Sequence, residues 1–350
     1  MMQALTVTPG MQDSLQLREL PDPLQEEGSV LVEAVAVGLC GTDREIVAGA
    51  YGQPPAGESF LVLGHENLGR VTDAPAGSGL SAGDLVVGIV RRPDPVPCPA
   101  CARGEWDMCR NGQYTEHGIK GLHGFARDRW RTDPDGLVRL DAGLADVGVL
   151  LEPATIVAKA WEQIDRIGGR AFFDPKVAVV TGAGPVGLLA ALLGAQRGLE
   201  VHVFDRVTDG PKPGLVRDLG AIYHTDTLTG SGVRAEVMVE CTGVSSVVLE
   251  SMKCGATDAI TCLTGVSRPG TKTPVDIGLV NRDSVLGNEV IFGSVNANRR
   301  HYAAAVTALE QADKSWLARL ITRRVALADF ADAFTGREDD VKVVLEMKGH

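Results

Sequence analysis

The sequence predicts an α/β chain of two domains, a mainly β domain formed by both ends of the polypeptide and a doubly wound parallel sheet inserted between them. Three observations carry this. A short apolar strand at 177–181 runs into a glycine-punctuated turn that opens a helix. Further short apolar runs follow it at the spacing a parallel sheet needs, and the flanking regions are short Val/Leu/Ala runs broken by Gly, Pro and Asp without long helical periodicity. The expected division assigns residues 1–157 and 298–350 to the first domain and 158–297 to the second.

The elements of the second domain follow in order. Residues 177–181 (Val-Ala-Val-Val-Thr) are a continuous apolar run of the kind buried on both faces of a parallel sheet. The turn is Gly182-Ala183-Gly184-Pro185-Val186-Gly187, and the helix is expected over 188–197. The whole stretch 177–195 is about as long as a membrane span, but Thr181, Pro185 and the glycines divide it into strand, turn and helix. Gly182 allows a tight turn, Gly184 lets backbone approach a pyrophosphate, and Gly187 lets helix and strand pack closely. Pro185 and Val186 then open the helix whose N–H groups face the phosphates, so the run is a dinucleotide fingerprint in its required context.

A second strand over 200–204 ends at Asp205. A carboxylate there can accept hydrogen bonds from both ribose hydroxyls of an adenosine and repel a 2′-phosphate, which favours NAD over NADP. Arg206 keeps dual use open, because it can stack on adenine or reach a 2′-phosphate. Strands are expected over 237–240, 259–263 and 290–292. Ligands bind beyond the carboxyl ends of such strands, so Thr242, Gly265 and Asn296 are expected to line the nicotinamide half of the crevice. Near the C-terminus, 301–310 and 316–322 read as helices and 341–345 as a terminal strand.

Two motifs in the first domain carry chemistry. Gly38-Leu39-Cys40-Gly41-Thr42-Asp43 and Gly64-His65-Glu66 together offer a thiolate, an imidazole and a carboxylate from separate glycine-flanked loops. That mixed set suits Zn²⁺ in a catalytic site with an open position, and the wide spacing excludes a compact zinc finger. Composition narrows the partners. With 350 residues, 44% hydrophobic and 23% charged, the chain is an ordinary globular protein, and its net charge of −11 with no basic stripe argues against nucleic acid. No signal peptide or membrane segment is read, so the expected compartment is the cytoplasm, and seven cysteines suit thiols that serve metals in a reducing environment. Cys241, Cys254 and Cys262 are expected to be ordinary buried thiols.

In order and across nearly the whole chain, GLCGTD, GHENLG (64–69), a cysteine-bearing loop and GAGPVG resemble the zinc-dependent medium-chain dehydrogenases. Arg91-Arg92-Pro93, the run 112–119, His123-Gly124-Phe125, Leu151-Glu152-Pro153 and Gly293-Ser294-Val295-Asn296 are similar to the glucose (aldose) 1-dehydrogenase branch. The resemblance implies a GroES-like catalytic domain, a Rossmann domain, a cleft between them, and homo-oligomers, tetramers or dimers, whose Rossmann sheets meet edge to edge. It implies that Cys40 and His65 anchor a catalytic zinc, that Glu66 ligates in some states or orients other ligands, and that Glu152 ligates or holds the zinc-bound water. The implied reaction is zinc-assisted hydride transfer from C1 of an aldose to NAD(P), giving an aldono-lactone. Thr42 would relay the hydroxyl proton outward, and Glu116 and Asn296 would hydrogen-bond sugar hydroxyls.

One loop departs from the family pattern. Relatives with a structural zinc carry four cysteines spaced x2, x2 and x7, whereas Cys98-x2-Cys101-x7-Cys109 supplies three and Pro95 stands at the first position. Asp94 beside it offers an oxygen ligand for a structural zinc, and loss of that metal is the alternative. Two other functions use the same motifs: oxidation of a polyol, modified sugar or secondary alcohol, or a zinc-free binding or reductase role, against which Cys40, His65 and Glu152 speak.

Overall fold

The computed structural model describes residues 1–267, 270 and 272–347, and the chain divides into two compact units, Met1–Glu152 with Ala297–His350 and Pro153–Asn296. The sequence reading placed the divisions at 157 and 297. The two units divide at 152/153 and 296/297, and the helix Leu151–Gly168 spans the expected first junction. Pro153 hides that helix in the sequence, yet it stands in the first turn, where a missing N–H costs no intrahelical bond. Residues 348–350, inside the expected first domain, lie outside the described residues.

In the first unit the strand Val30–Leu39 pairs antiparallel with Arg129–Thr132, Glu66–Asp73 and Lys342–Glu346. Its alternating Val30, Val32, Ala34 and Val37 are buried with Leu63, Phe125, Trp130, Val343 and Leu345 in one core. The register decides what meets at the strand's end: Gly38 lies opposite Glu66 and Val344, and Leu39 opposite Val343. The chain after Leu39 therefore emerges beside the first residues of two other strands. Gly38 has no tolerable replacement with a Cβ, because that atom would collide with the Glu66 carboxylate lying across it.

The second unit holds a parallel sheet of six strands in the order Ile222–His224, Glu200–Phe204, Val177–Thr181, Ala235–Glu240, Gly255–Leu263, Val290–Gly293. Strand order reverses between Val177–Thr181 and Ala235–Glu240, so the turns after these two strands flank the switch point. The helix begins at Pro185 rather than 188 and ends at Gln196, because proline is pre-set for the first helical position. Residues Gly187 to Gly194 of that helix are all buried, which explains its uniform apolarity.

One expected helix is part strand. Lys314–Leu320 is helical, but Ile321–Ala326 pairs in parallel with Lys342–Glu346, so the β-branched Ile321 and Thr322 leave the helix for the sheet. No helix of the described residues is long and apolar enough to cross a membrane.

Candidate metal and cofactor sites

Cys40 caps the helix Gly41–Val47 directly after the central strand of the first unit, and its sulfur accepts the Thr42 N–H at 3.2 Å. His65 Nε2 stands 3.1 Å from that sulfur, and one ligand atom each from Cys40, His65 and Glu66 lies within 4.8 Å of the others. The sequence-predicted thiolate, imidazole and carboxylate are thus brought together from two strand ends. A soft, a borderline and a hard donor, all buried or nearly so, fit a zinc ion. Glu152, at the start of the long helix, is buried, and burial raises its carboxyl to about 7 against the pull of His65, with Glu66 pushing it further up.

Two groups that sequence reasoning missed hold this set. Asp43 is wholly buried; one oxygen accepts the Cys40 N–H at 2.9 Å and the other faces His65 Nδ1 at 3.4 Å, leaving Nε2 toward the sulfur. Carboxylates behind metal-bound imidazoles fix their tautomer and orientation. Burial opposes a charge on His65, but Cys40 and Asp43 outweigh it and hold the imidazole well above its ordinary value. Asp43 was legible, being three residues after Cys40 in GTD.

Lys342 was not legible. Its ammonium donates to both Glu66 oxygens, at 2.7 and 2.5 Å, and to the Leu39 carbonyl at 3.1 Å, with both side chains almost fully buried. Glu66 is therefore tethered by a cation, which favours the orienting role over permanent ligation.

The expected fourth donor of the cysteine lobe does not join the sulfurs. Cys98, Cys101 and Cys109 cluster within 4.8 Å, and backbone N–H groups of Arg110 and Cys101 lower the Cys98 thiol to about 6. Asp94 instead accepts Val96 N–H at 2.9 Å through one oxygen and the Asn111 side-chain amide through the other. Short loop geometry explains this: a carboxylate satisfied by its own turn has little reach left for a metal.

Glu116 lies on a buried strand pair opposite Arg91, whose guanidinium grips one carboxylate oxygen at 3.0 and 2.9 Å and stacks 3.7 Å from the Tyr114 ring centre. Arg91, in Arg91-Arg92-Pro93, is a partner of Glu116 that sequence reasoning missed. Thr42 is half-buried. Asn296 belongs to the second unit and has a left-handed backbone, φ 61°.

In the second unit Gly182 has φ 87°, and a Cβ on Gly187 would collide with the Gly182 carbonyl, so both glycines do what the fingerprint requires. The helix cap, Gly184, has no side chain to satisfy the first N–H groups of Pro185–Gln196, which suits an anion at that helix end. Asp205 does more than expected. One oxygen accepts Ala183 N–H at 2.7 Å and Lys212 at 3.1 Å, and the other accepts Val207 N–H at 3.0 Å. Burial would raise this carboxyl, but these donors hold it below its ordinary value. The carboxylate thus braces the glycine turn and is partly neutralised by Lys212, which sequence reasoning overlooked; Arg206 is exposed. Thr242 and Gly265 follow adjacent parallel strands, as expected.

Comparison with known proteins gives the family. Residues 26–142 match the alcohol dehydrogenase GroES-like domain, and residues 145–347 match the glucose dehydrogenase C-terminus. The chain belongs to the glucose dehydrogenase family of zinc-dependent medium-chain dehydrogenases. It is 39% identical to glucose 1-dehydrogenase 1 of Caldivirga maquilingensis, covering 99% of each chain. It is also 39% identical to glucose 1-dehydrogenase of Thermoproteus tenax, over 99% of this chain and 100% of that one. Among solved structures it is similar to Haloferax mediterranei glucose dehydrogenase in complex with NADP, Zn and gluconolactone, with a TM-score of 0.92, 32% identity and 100% of both chains covered. Galactitol-1-phosphate dehydrogenase of Escherichia coli, at 20% identity and TM-score 0.81 with 99% of this chain and 100% of that one covered, shares the fold.

Proposed function

We propose that this protein is a zinc-dependent, NAD(P)-dependent dehydrogenase that oxidises a glucose-like aldose at C1 to the aldono-lactone. The observation that carries the reading is the buried convergence of Cys40, His65 and Glu66, with Glu152 nearby, in a chain that matches glucose 1-dehydrogenases over its full length. Zinc bound there would supply a Lewis acid for the C1 hydroxyl, and NAD(P) would supply the hydride acceptor.

The chain's own residues do the rest. Cys40 and His65 hold the metal, Asp43 sets the imidazole, and Lys342 keeps the Glu66 charge compensated. Glu152 ligates the metal or holds the metal-bound water. Thr42 Oγ1 receives the hydroxyl proton and passes it outward. Glu116 and Asn296 pair with sugar hydroxyls, and Arg91 fixes the orientation of the Glu116 carboxylate by gripping one of its oxygens. A site built to pair hydroxyls rejects analogues that lack them.

Asp205 favours NAD, while Lys212 and Arg206 supply positive charge for NADP, so both dinucleotides are accepted. A second zinc is held by Cys98, Cys101 and Cys109. The protein acts in the cytoplasm as a homo-oligomer. In support of assembly, Val290–Gly293 is one of the two edges of its sheet among the described residues, and Ile277, Val285 and Leu286 on the neighbouring helix are exposed. Steady-state rates on aldoses, polyols and secondary alcohols with each dinucleotide, before and after chelation, test the reading: activity should require zinc and favour an aldose.

A further inference from the structure

Three turns of the second unit that follow parallel strands converge on one buried residue, two on its carboxylate and the third on its backbone carbonyl. Glu240, the last residue of Ala235–Glu240, is 0% exposed. Its carboxylate accepts the Thr181 hydroxyl at 3.2 Å, Thr242 N–H at 2.7 Å, the Thr242 hydroxyl and Gly243 N–H at 3.1 Å. Its backbone carbonyl accepts Thr264 N–H at 2.8 Å, Gly265 N–H at 3.0 Å and the Thr264 hydroxyl at 2.7 Å. Thr181 precedes the glycine turn, Thr242 and Gly243 form the turn after the next strand, and Thr264 and Gly265 the turn after the one beyond. The packing leaves no slack. A Cβ on Gly265 would lie 2.7 Å from the Glu240 carboxylate and against the Gly243 nitrogen, and one on Gly182 would lie 2.9 Å from the Thr242 methyl.

We propose that Glu240 is the positioning residue of the dinucleotide site, locking these three turns into one surface at the switch point. The inference rests on the reading of the second unit as the cofactor domain. A carboxyl group in a dry interior is costly unless its oxygens are bonded, and the donors around this residue come from the turns that border the crevice. A glutamine in its place keeps the shape but replaces the charged acceptor of the Thr181, Thr242 and Gly243 donors by a weaker neutral one and sets an N–H where the second oxygen also faces Gly243 N–H, which loosens the first two turns.

The same strand provides a control. Glu236 accepts the Lys176 and Val177 N–H groups at 2.5 and 2.9 Å, at the opposite end of the sheet. The test is calorimetric titration of NAD⁺ and NADP⁺ into zinc-loaded wild type, Glu240→Gln, Thr181→Val and Glu236→Gln, together with KM for the sugar. Wild-type binding tests the cofactor reading itself; binding of neither dinucleotide would end that reading before the variants are considered. Given binding, Glu240→Gln should weaken it by roughly 10-fold or more and Thr181→Val by about 3-fold, as expected for lost buried hydrogen bonds. Glu236→Gln should leave the dissociation constant unchanged, and the sugar KM should move in none of them. If Glu240→Gln does not fold, Thr181→Val carries the test alone. An unchanged dinucleotide affinity in the folded variant, or an equal loss in Glu236→Gln, overturns the assignment.

Discussion

Glu66 and Asp205 are both carboxylates at strand ends, and each is paired with a lysine, but the two pairs differ in origin and surroundings. Lys342 comes from the far end of the chain and meets Glu66 with side chains only 2% and 3% exposed. Lys212 comes from seven residues beyond Asp205, at 3.1 Å, with side chains 17% and 9% exposed. The first pair sits beside the buried cluster of Cys40, His65 and Glu66 that could hold a metal ion, where the lysine compensates the Glu66 charge. The second sits beside a turn whose backbone donates twice to the carboxylate, and its lysine adds a further bond to the same group. The buried, non-local pair is brought together by strand register; the local one is brought together by the chain next to it.

The most severe way to break the first region is to remove its soft ligand. Cys40→Ala should lower kcat/KM by about 1,000-fold or more, the scale of losing a transition-state interaction outright, while dinucleotide titration stays near wild type. Retained turnover after dialysis against chelator would show that the cluster is not the catalytic centre.

Lys342→Met sharpens the contrast. It strands the Glu66 charge in the interior, so denaturant unfolding should show a loss of about 3–5 kcal/mol, and Lys342→Met combined with Glu66→Gln should recover part of it. Lys212→Ala, by contrast, should cost no more than about 1 kcal/mol of stability. Its effect is on choice: the ratio of kcat/KM for NADP over NAD should fall several-fold, as a cation near the 2′-phosphate is lost. An unchanged ratio would leave Asp205 and Arg206 as the only discriminants.

The smallest effect is a pH dependence. The Asp205 carboxyl is held below its ordinary value near 3.8, so its ionised form stabilises the fold above that value, and the contribution disappears as pH falls through the lowered one. The difference in melting temperature between wild type and Asp205→Asn should therefore be present at pH 6 and shrink toward pH 3. A difference that grows with acid would reverse the assignment.

The same contrast explains what was legible in the sequence. The glycine turn, Asp205 and the strands around them are local patterns, each element adjoining the next, and the structure places them within a few residues of expectation. Cys40, His65 and Glu66 were readable because glycines and residue types mark them, although they converge only through strand register. Lys342 carries no such mark: a lysine starting an apolar strand reads as a solvated end, and only the pairing of Val343 with Leu39 brings it to Glu66. Asp94 is not gathered with the sulfurs, for the opposite reason. Proximity in sequence to the cysteines suggested a ligand, but its own turn and Asn111 occupy the carboxylate. The helix start at Leu151 was hidden by Pro153, and the Ile321 strand by an apparent continuation of the preceding helix.

The central claim is oxidation at C1 of an aldose by a zinc-loaded protein. The direct measurement is identification of the product by NMR after turnover of glucose with NAD⁺ or NADP⁺, with rates compared against a simple secondary alcohol and repeated in Glu116→Gln. The account predicts the lactone with one reduced dinucleotide per sugar, kcat/KM for the aldose at least about 10-fold above the alcohol, and a loss at Glu116→Gln confined to the sugar. Faster turnover of the simple alcohol, or oxidation at a carbon other than C1, would contradict it.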